Sequence, residues 1–279
     1  MHWRWQKILH GLSQLKHALI DSNPPGSGDP WDPAFFEQVV KSLGFSISTY
    51  HDMYKLEKNR RTFFLRKGGS DGAAFIEIFR DGEYNPLIEF IRNNRIEVHT
   101  LVDAGANIGL ASILFAEHLP VRRTLCIEPF GPNCQMLEKN LQGKCDFTVI
   151  EAALWHRDDE VLALHRHFRD GQDWSLSTGP AGSKADLQPV KSITLHQLMQ
   201  QHQLPAIDLL KVDIEGAEQV VFAPGSKTGF LKQVKLVAIE LHREIIGYRK
   251  IFGVLQGHGF ILHEAGNLLI GYRPPGLIT

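Results

Sequence analysis

Cysteine is scarce in this sequence, and its placement excludes two common structural devices. The 279 residues include only three cysteines, Cys126, Cys134 and Cys145, and no two of them are separated by two residues. An odd number of cysteines without Cys-x-x-Cys spacing indicates neither a disulfide framework nor a zinc knuckle. Because free thiols are typical of reducing compartments, we expect a cytoplasmic protein.

The sequence also lacks an excess of charge and long hydrophobic runs. Thirty Lys and Arg residues stand against 31 Asp and Glu residues, a net charge of −1, so we expect no nucleic-acid partner. No apolar run approaches the roughly 18 residues of a membrane span. Lys7, His10 and Lys16 interrupt the first twenty residues, where a secretory signal needs an apolar core. The sequence therefore predicts no membrane span and no export.

Residues 1–33 are predicted to form an amphipathic helical arm and a linker rich in Pro and Gly. Apolar residues recur at three- and four-residue steps from Trp5 to Leu19, which is the spacing of one helix face. The following segment SNPPGSGDPWDP excludes a regular element. Two interpretations stay open. The helix packs on its own domain, or it binds a membrane surface or a second copy of the chain through Trp3 and Trp5.

A lead-in segment, residues 34–98, precedes a domain of residues 99–279 in which strand-like and helix-like runs alternate. Within the lead-in, Phe35–Leu43 has a helical pattern and Arg61–Arg66 resembles a strand. The alternation after residue 99 predicts a parallel sheet covered by helices on both faces. Residues 264–267 alone join the last two strand-like runs, too few for a parallel crossover. The predicted class is therefore α/β, with one antiparallel strand and an N-terminal helical extension.

The strongest chemical signal is VDAGANIG, residues 102–109, where a strand is predicted to end and a helix to begin. Gly105 and Gly109 allow a tight turn beside a ligand, and the helix start presents backbone N–H groups. Asn107 occupies the position at which a dinucleotide-binding G-x-G-x-x-G pattern needs its second glycine. Asp103, at the strand end, suits a ligand with an amino group better than a pyrophosphate.

Glu128 ends the next predicted strand, in CIEPF. An acidic residue about 20 residues beyond the glycine loop accepts ribose hydroxyls in nucleotide-binding sheets. An adenosine that carries a charged amino acid tail satisfies both Glu128 and Asp103. That description fits S-adenosylmethionine (SAM).

The chain from about Phe75 to Tyr272 resembles the FkbM family of SAM-dependent methyltransferases. Five motifs, in order, carry the resemblance: EIFRDGEYNPL (77–87), VDAGANIG (102–109), IEPF (127–130), EAAL (151–154) and LLKVDIEGAE (209–218). The resemblance implies a Rossmann-like, seven-stranded class I methyltransferase sheet in residues 99–279. It also implies O-methylation of a hydroxyl on a small molecule, a sugar or a secondary metabolite.

The same resemblance assigns cofactor-binding residues by position. It assigns Asp103, Gly105, Asn107 and Gly109 to the methionyl end, Glu128 to the ribose, and Glu151 and Ala152 to the adenine. Pro129 is a further predicted cofactor-binding residue. Glu83 and Tyr84 of the lead-in would cover the cofactor from above, although a simple turn after Arg-Asp-Gly is an equal alternative.

Catalytic candidates follow two strand ends. Asp213 ends the apolar strand of LLKVDIEG, at the edge where open α/β sheets bind ligands, and Glu215 follows it. Glu218 is interpreted instead as a complement to the dipole of the next helix. His242 shares a face of its strand with Glu240, and a neutral imidazole is suited to accept the proton of an attacking hydroxyl. A histidine that merely ends a strand is the alternative.

The alternation breaks between Trp155 and Lys191, where a polar stretch is inserted. Its side chains either line an acceptor pocket or belong to a solvated loop; they are His165, Arg166, His167, Arg169 and Trp174. Two histidines in i, i+2 spacing without a carboxylate pattern do not indicate a metal, so none is predicted. Two alternative functions remain: a nicotinamide-dependent oxidoreductase, which Asn107 disfavours, and a catalytically inactive cofactor-binding module that docks a partner.

Overall fold

A computed structural model describes residues 32–165, 177–180, 189–223, 225–242 and 249–274. The predicted arm and linker therefore lie outside the described residues, apart from residues 32 and 33. Four candidates in the insertion, Arg166, His167, Arg169 and Trp174, lie outside them as well.

The described helices and strands follow the predicted alternation. The helices are α1 (Pro33–Ser42), α2 (Asp71–Phe75), α3 (Asn85–Asn93), α4 (Leu110–His118), α5 (Gly131–Leu141), α6 (Leu195–Gln201), α7 (Glu218–Val221) and α8 (Lys250–Gly257). A π-helical turn, Ile76–Arg80, continues α2, and a 3-10 helix spans Thr228–Gln233. The strands are β1 (Ser46–Tyr50), β2 (Met53–Lys58), β3 (Arg61–Arg66), β4 (Thr100–Ala104), β5 (Arg123–Glu128), β6 (Phe147–Glu151), β7 (Ala153–Leu154), β8 (Val161–His165), β9 (Ser177–Pro180), β10 (Pro189–Ile193), β11 (Ile207–Val212), β12 (Val234–Glu240), β13 (Ile261–Ala265) and β14 (Leu268–Tyr272).

Seven strands form the central sheet, in the order β13-β14-β12-β11-β4-β5-β6. Neighbours from β12 to β6 pair in parallel, whereas β14 pairs antiparallel with both β12 and β13. The predicted seven-stranded sheet with one antiparallel strand is confirmed. Almost every residue of β4, β5, β11 and β12 is buried, because helices cover both faces of a parallel sheet.

The lead-in forms an antiparallel sheet of order β1-β2-β3 beside α1 and α2. Arg61–Arg66 forms the predicted strand, with Phe63 and Leu65 buried in alternation. The rings of Phe63 and Phe75 meet edge-on at 5.6 Å, and both belong to an apolar cluster that includes Ile113 of α4 and Leu137 of α5. The lead-in and the central sheet therefore share one core.

Three short strands that the sequence pattern did not reveal, β8, β9 and β10, lie in the insertion or at its end, and β7 precedes it at Ala153–Leu154. They form a second sheet, ordered β7-β10-β8-β9, in which β10 pairs in parallel with β7 and antiparallel with β8. These strands are two to five residues long. None of the helices in the described residues has both the length and the apolar character that crossing a membrane requires.

Candidate active site

A pocket opens at the carboxyl ends of β4, β5, β11 and β12. Strand β4 lies between β5 and β11, so the chain reverses its winding direction here, and open α/β sheets bind ligands at such a point. The glycine loop, the ends of these strands, the lead-in and the insertion all contribute to the wall. Lining residues used below are Glu83, Tyr84, Gly105, Asn107, Glu128, Pro129, Ala152, Thr178, Lys211, Asp213, Glu215 and Glu240.

The glycine loop approaches the segment after β11 so closely that only glycine fits at position 105. Gly105 has φ +74°, and a Cβ built there would lie 1.7 Å from the Asp213 carbonyl oxygen. Asn107 also has a left-handed backbone, with φ 49°, which asparagine tolerates better than most residues. Gly109 is different: it does not line the pocket, and a Cβ there would meet Leu137 of α5 at 3.3 Å. Gly109 therefore permits helix packing.

The Glu128 carboxylate connects the end of β5 to the glycine loop. One oxygen accepts a hydrogen bond from the Asn107 backbone N–H (2.9 Å), and the other accepts from the Phe130 N–H (3.1 Å) and the Asn133 side chain (3.2 Å). Burial raises the pKa of Glu128 to about 7 despite these hydrogen bonds. The carboxylate faces the pocket and is only 5% exposed.

Asp103 lies beneath the pocket wall instead of in it. Its side chain is fully buried, accepts a hydrogen bond from Ser112 Oγ (2.7 Å), and lies 3.1 Å from Lys211 Nζ. Burial lowers the pKa of Lys211, but the carboxylates of Asp103 and Asp213 outweigh it and hold that pKa above its ordinary value. Sequence analysis missed Lys211, although a lysine within the apolar run LLKVD is a signal in itself, since buried charges need partners.

His242 is surrounded by carboxylates. Its Nε2 lies 3.4 Å from Glu218, 3.6 Å from Asp213 and 4.0 Å from Glu215. Burial lowers its pKa, but the carboxylates of Asp213 and Glu218 outweigh burial and raise that pKa to about 11. At neutral pH the imidazole is therefore protonated on both ring nitrogens and positively charged.

Asp213 has the opposite shift. Burial raises its pKa, but the charges of Lys211 and His242 prevail and hold that pKa well below the usual range. Its neighbour Glu240 has a raised pKa, because of burial and the charge of Asp213. Asp213 is thus an ionised carboxylate that lines the pocket.

A comparison with family models decides the family. Residues 103–262, more than half of the chain, match the model of the Methyltransferase FkbM domain. The chain belongs to the FkbM methyltransferase family. The predicted resemblance and the predicted cofactor, SAM, are confirmed.

A comparison with solved structures finds several methyltransferases that are similar to this chain at low identity. Precorrin-6y C5,15-methyltransferase from Geobacter metallireducens is 13% identical, with a TM-score of 0.40 over 68% of this chain and 88% of that one. Magnesium protoporphyrin IX methyltransferase from Synechocystis, solved with bound SAM, is 11% identical, with a TM-score of 0.41 over 70% and 80%. A methyltransferase from Geobacter sulfurreducens is 16% identical, with a TM-score of 0.40 over 94% and 98%. No curated protein matches the sequence.

The FkbM pocket brings together most of the residues proposed from the sequence. Glu83 and Tyr84 of the lead-in line it, as do Pro129 and Ala152. Glu151 pairs with Glu128 across β5 and β6, but its side chain is exposed and does not line the pocket. His242 lies behind the wall that Asp213 and Glu215 form.

Glu218 does more than complement a helix dipole. Its Oε1 accepts a hydrogen bond of 2.7 Å from the Ile214 backbone N–H, which holds the turn after Asp213. Within the described residues, the side chains of Asp213, Glu218 and His242 could together hold a metal ion. One possible ligand atom from each of them lies within 4.8 Å of the other two. The sequence analysis predicted no such set. In this structure the three side chains pair with one another, His242 Nε2 with the carboxylates of Glu218 and Asp213.

Proposed function

We propose that this FkbM methyltransferase transfers a methyl group to a hydroxyl oxygen of a small molecule, a sugar or a secondary metabolite. The ionised Asp213 carboxylate in the pocket wall supports the proposal. A hydroxyl loses its proton when its oxygen forms a bond to carbon, and a carboxylate beside the reacting atoms can accept that proton.

SAM, when bound, supplies the electrophilic methyl group. Because Gly105 has no side chain, the glycine loop can turn closely against Asp213. The buried carboxylate of Glu128 faces the pocket, where ribose hydroxyls can donate hydrogen bonds to it. Glu83 and Tyr84 lie on the lead-in side of the same pocket. These residues fit the methionyl and ribose parts of SAM.

The proton acceptor in this proposal is Asp213, not His242. An imidazole with a pKa of about 11 is already protonated at neutral pH and accepts no further proton. The lowered pKa of Asp213 makes it a weak base, but the oxonium formed when the hydroxyl oxygen takes the methyl group is strongly acidic and can still give its proton to this carboxylate. His242 instead holds Asp213 through their ion pair at 3.6 Å. Most of the acceleration comes from holding the hydroxyl and the methyl group in line, an effect of about 7 to 11 kcal/mol. The products are a methyl ether and S-adenosylhomocysteine.

The insertion borders the acceptor side in this proposal. Thr178 of β9 lines the pocket, and β9 pairs with β8, which ends at His165. A cytoplasmic location, the absence of a nucleic-acid partner and a homo-oligomer formed through the arm remain part of the proposal.

The test is methyl transfer from labelled SAM to a panel of hydroxylated sugars and secondary metabolites, with the methylated atom located by NMR. We expect a methyl ether, and we expect Asp213→Asn to lower transfer by about 10² or more while SAM binding is retained. Asp146→Asn, an exposed aspartate before β6, is the matched control. Methylation of nitrogen or carbon, or full activity of Asp213→Asn, would contradict the proposal. SAM binding without transfer to any compound would favour the inactive module.

A further inference from the structure

Lys211 is a buried lysine in the middle of the central sheet. It belongs to β11, is 3% exposed, and pairs in register with Asp103 of β4 and Ala238 of β12. Burying an ammonium group without partners is costly, so its contacts account for its presence in an apolar strand.

The ammonium group contacts three oxygens that belong to different parts of the site. Lys211 Nζ donates a hydrogen bond of 2.8 Å to the Gly105 carbonyl oxygen. It lies 3.1 Å from Asp103 Oδ1 and 3.7 Å from Asp213 Oδ2. An ammonium group has three N–H donors and no acceptor; one donates to Gly105, and the two carboxylates balance its positive charge.

The three contacts connect Lys211 to different parts of the protein. Asp103 is also bound by Ser112 of α4 and lies away from the pocket, so it anchors Lys211 to the scaffold. Gly105 and Asp213 both line the pocket, one on the glycine loop and the other after β11. Lys211 therefore contacts the cofactor side and the acceptor side at the same time.

We propose that Lys211 is a positioning residue that sets the glycine loop and the Asp213 carboxylate at a fixed distance, and so aligns bound SAM with the proton acceptor. The Asp213 half of this proposal, the positioning of the proton acceptor, rests on the proposed function. The Gly105 half, the positioning of the glycine loop, rests only on SAM as the cofactor. The competing explanation is that Lys211 merely neutralises the buried charge of Asp103.

A double-mutant cycle separates the two explanations. The variants are Lys211→Met, Asp103→Asn and the double variant, and each is compared by calorimetry with SAM and by thermal unfolding. If Lys211 only balances Asp103, adding Lys211→Met to Asp103→Asn changes neither SAM affinity nor transfer. If Lys211 positions the loop, the same addition raises the SAM dissociation constant about tenfold or more, as expected for the loss of a charge-assisted hydrogen bond.

The double variant keeps the test decisive if Lys211→Met alone fails to fold, because it no longer leaves the fully buried Asp103 charge without a cation. With an acceptor in hand, we expect the addition to lower kcat at saturating SAM by about 10²-fold, the effect of a small misalignment. Unchanged SAM affinity in the Asp103→Asn background would overturn the proposal. A changed affinity with unchanged kcat would remove only the Asp213 half of the proposal and would leave the role of Asp213 as proton acceptor untouched. Full activity of Asp213→Asn, in contrast, would refute only that role and leave the affinity result standing.

Discussion

The Glu128 carboxylate accepts a hydrogen bond of 2.9 Å from the backbone nitrogen of Asn107. This contact joins the end of β5 to the glycine loop, although 21 positions separate the two residues. Asn107 holds a left-handed conformation, φ 49°, that aims its N–H at the carboxylate. The residue assigned to the ribose therefore also shapes the loop assigned to the methionyl end.

Removal of the Glu128 carboxylate should weaken cofactor binding. We expect Glu128→Ala to raise the SAM dissociation constant about 10- to 100-fold, since hydrogen bonds to a charged group contribute about 1.5 to 3 kcal/mol. Calorimetry with SAM measures this. Glu138→Ala, an exposed glutamate on α5, controls for surface charge. Unchanged affinity in a folded Glu128→Ala protein would remove Glu128 from the cofactor site.

SAM affinity should depend on pH near neutrality. Burial raises the pKa of Glu128 to about 7, so the carboxyl is protonated below that pH and ionised above it. Ribose hydroxyls donate to the ionised form, and we therefore expect affinity to fall as the pH drops from 8 through 7 to 6. Calorimetry across this range tests the sign. Glu128→Gln should abolish the dependence, and an unchanged slope in that variant would assign it to another group.

The closeness of Gly105 to Asp213 predicts a large effect of one methyl group. Gly105 and Gly143 share φ +74°, but a Cβ at position 105 lies 1.7 Å from a backbone oxygen, whereas one at 143 has nothing within 4 Å. We expect Gly143→Ala to cost about 1 to 2 kcal/mol for its left-handed backbone and to bind SAM normally.

We expect Gly105→Ala to cost about 1 to 3 kcal/mol more for overpacking and to lose SAM affinity. Denaturant unfolding and calorimetry on the pair give both quantities. Equal destabilisation of the two variants would show that the loop relaxes around the added methyl.

The His242 ion pairs predict a rate effect without a binding effect. We expect His242→Asn to lower methyl transfer by about 10²-fold, because Asp213 loses the partner that orients it, and to leave SAM affinity nearly unchanged because His242 does not line the pocket. His196→Asn, an exposed histidine on α6, is the control. Wild-type turnover of a folded His242→Asn protein would make His242 purely structural.

The sequence by itself determined the sheet and the edge at which the pocket opens. Apolar strand runs ending in Asp103, Glu128 and Asp213 are local patterns, and parallel pairing brings all carboxyl ends of such strands to one edge. The short linker 264–267 likewise determined the antiparallel strand. The sequence placed Asp213 and His242 at the ends of two strands, and the structure brings them together because β11 and β12 are neighbours in the sheet.

Only the tertiary structure decided which side chains reach the pocket and what charge they carry. Glu151 and Gly109 follow the family motifs, yet one faces solvent and the other packs on α5. The proton on His242 and the role of Lys211 depend on burial and on carboxylates from separate strands and turns. Such charges respond to every neighbour within a few ångströms in a medium of low dielectric, and sequence spacing does not specify those neighbours.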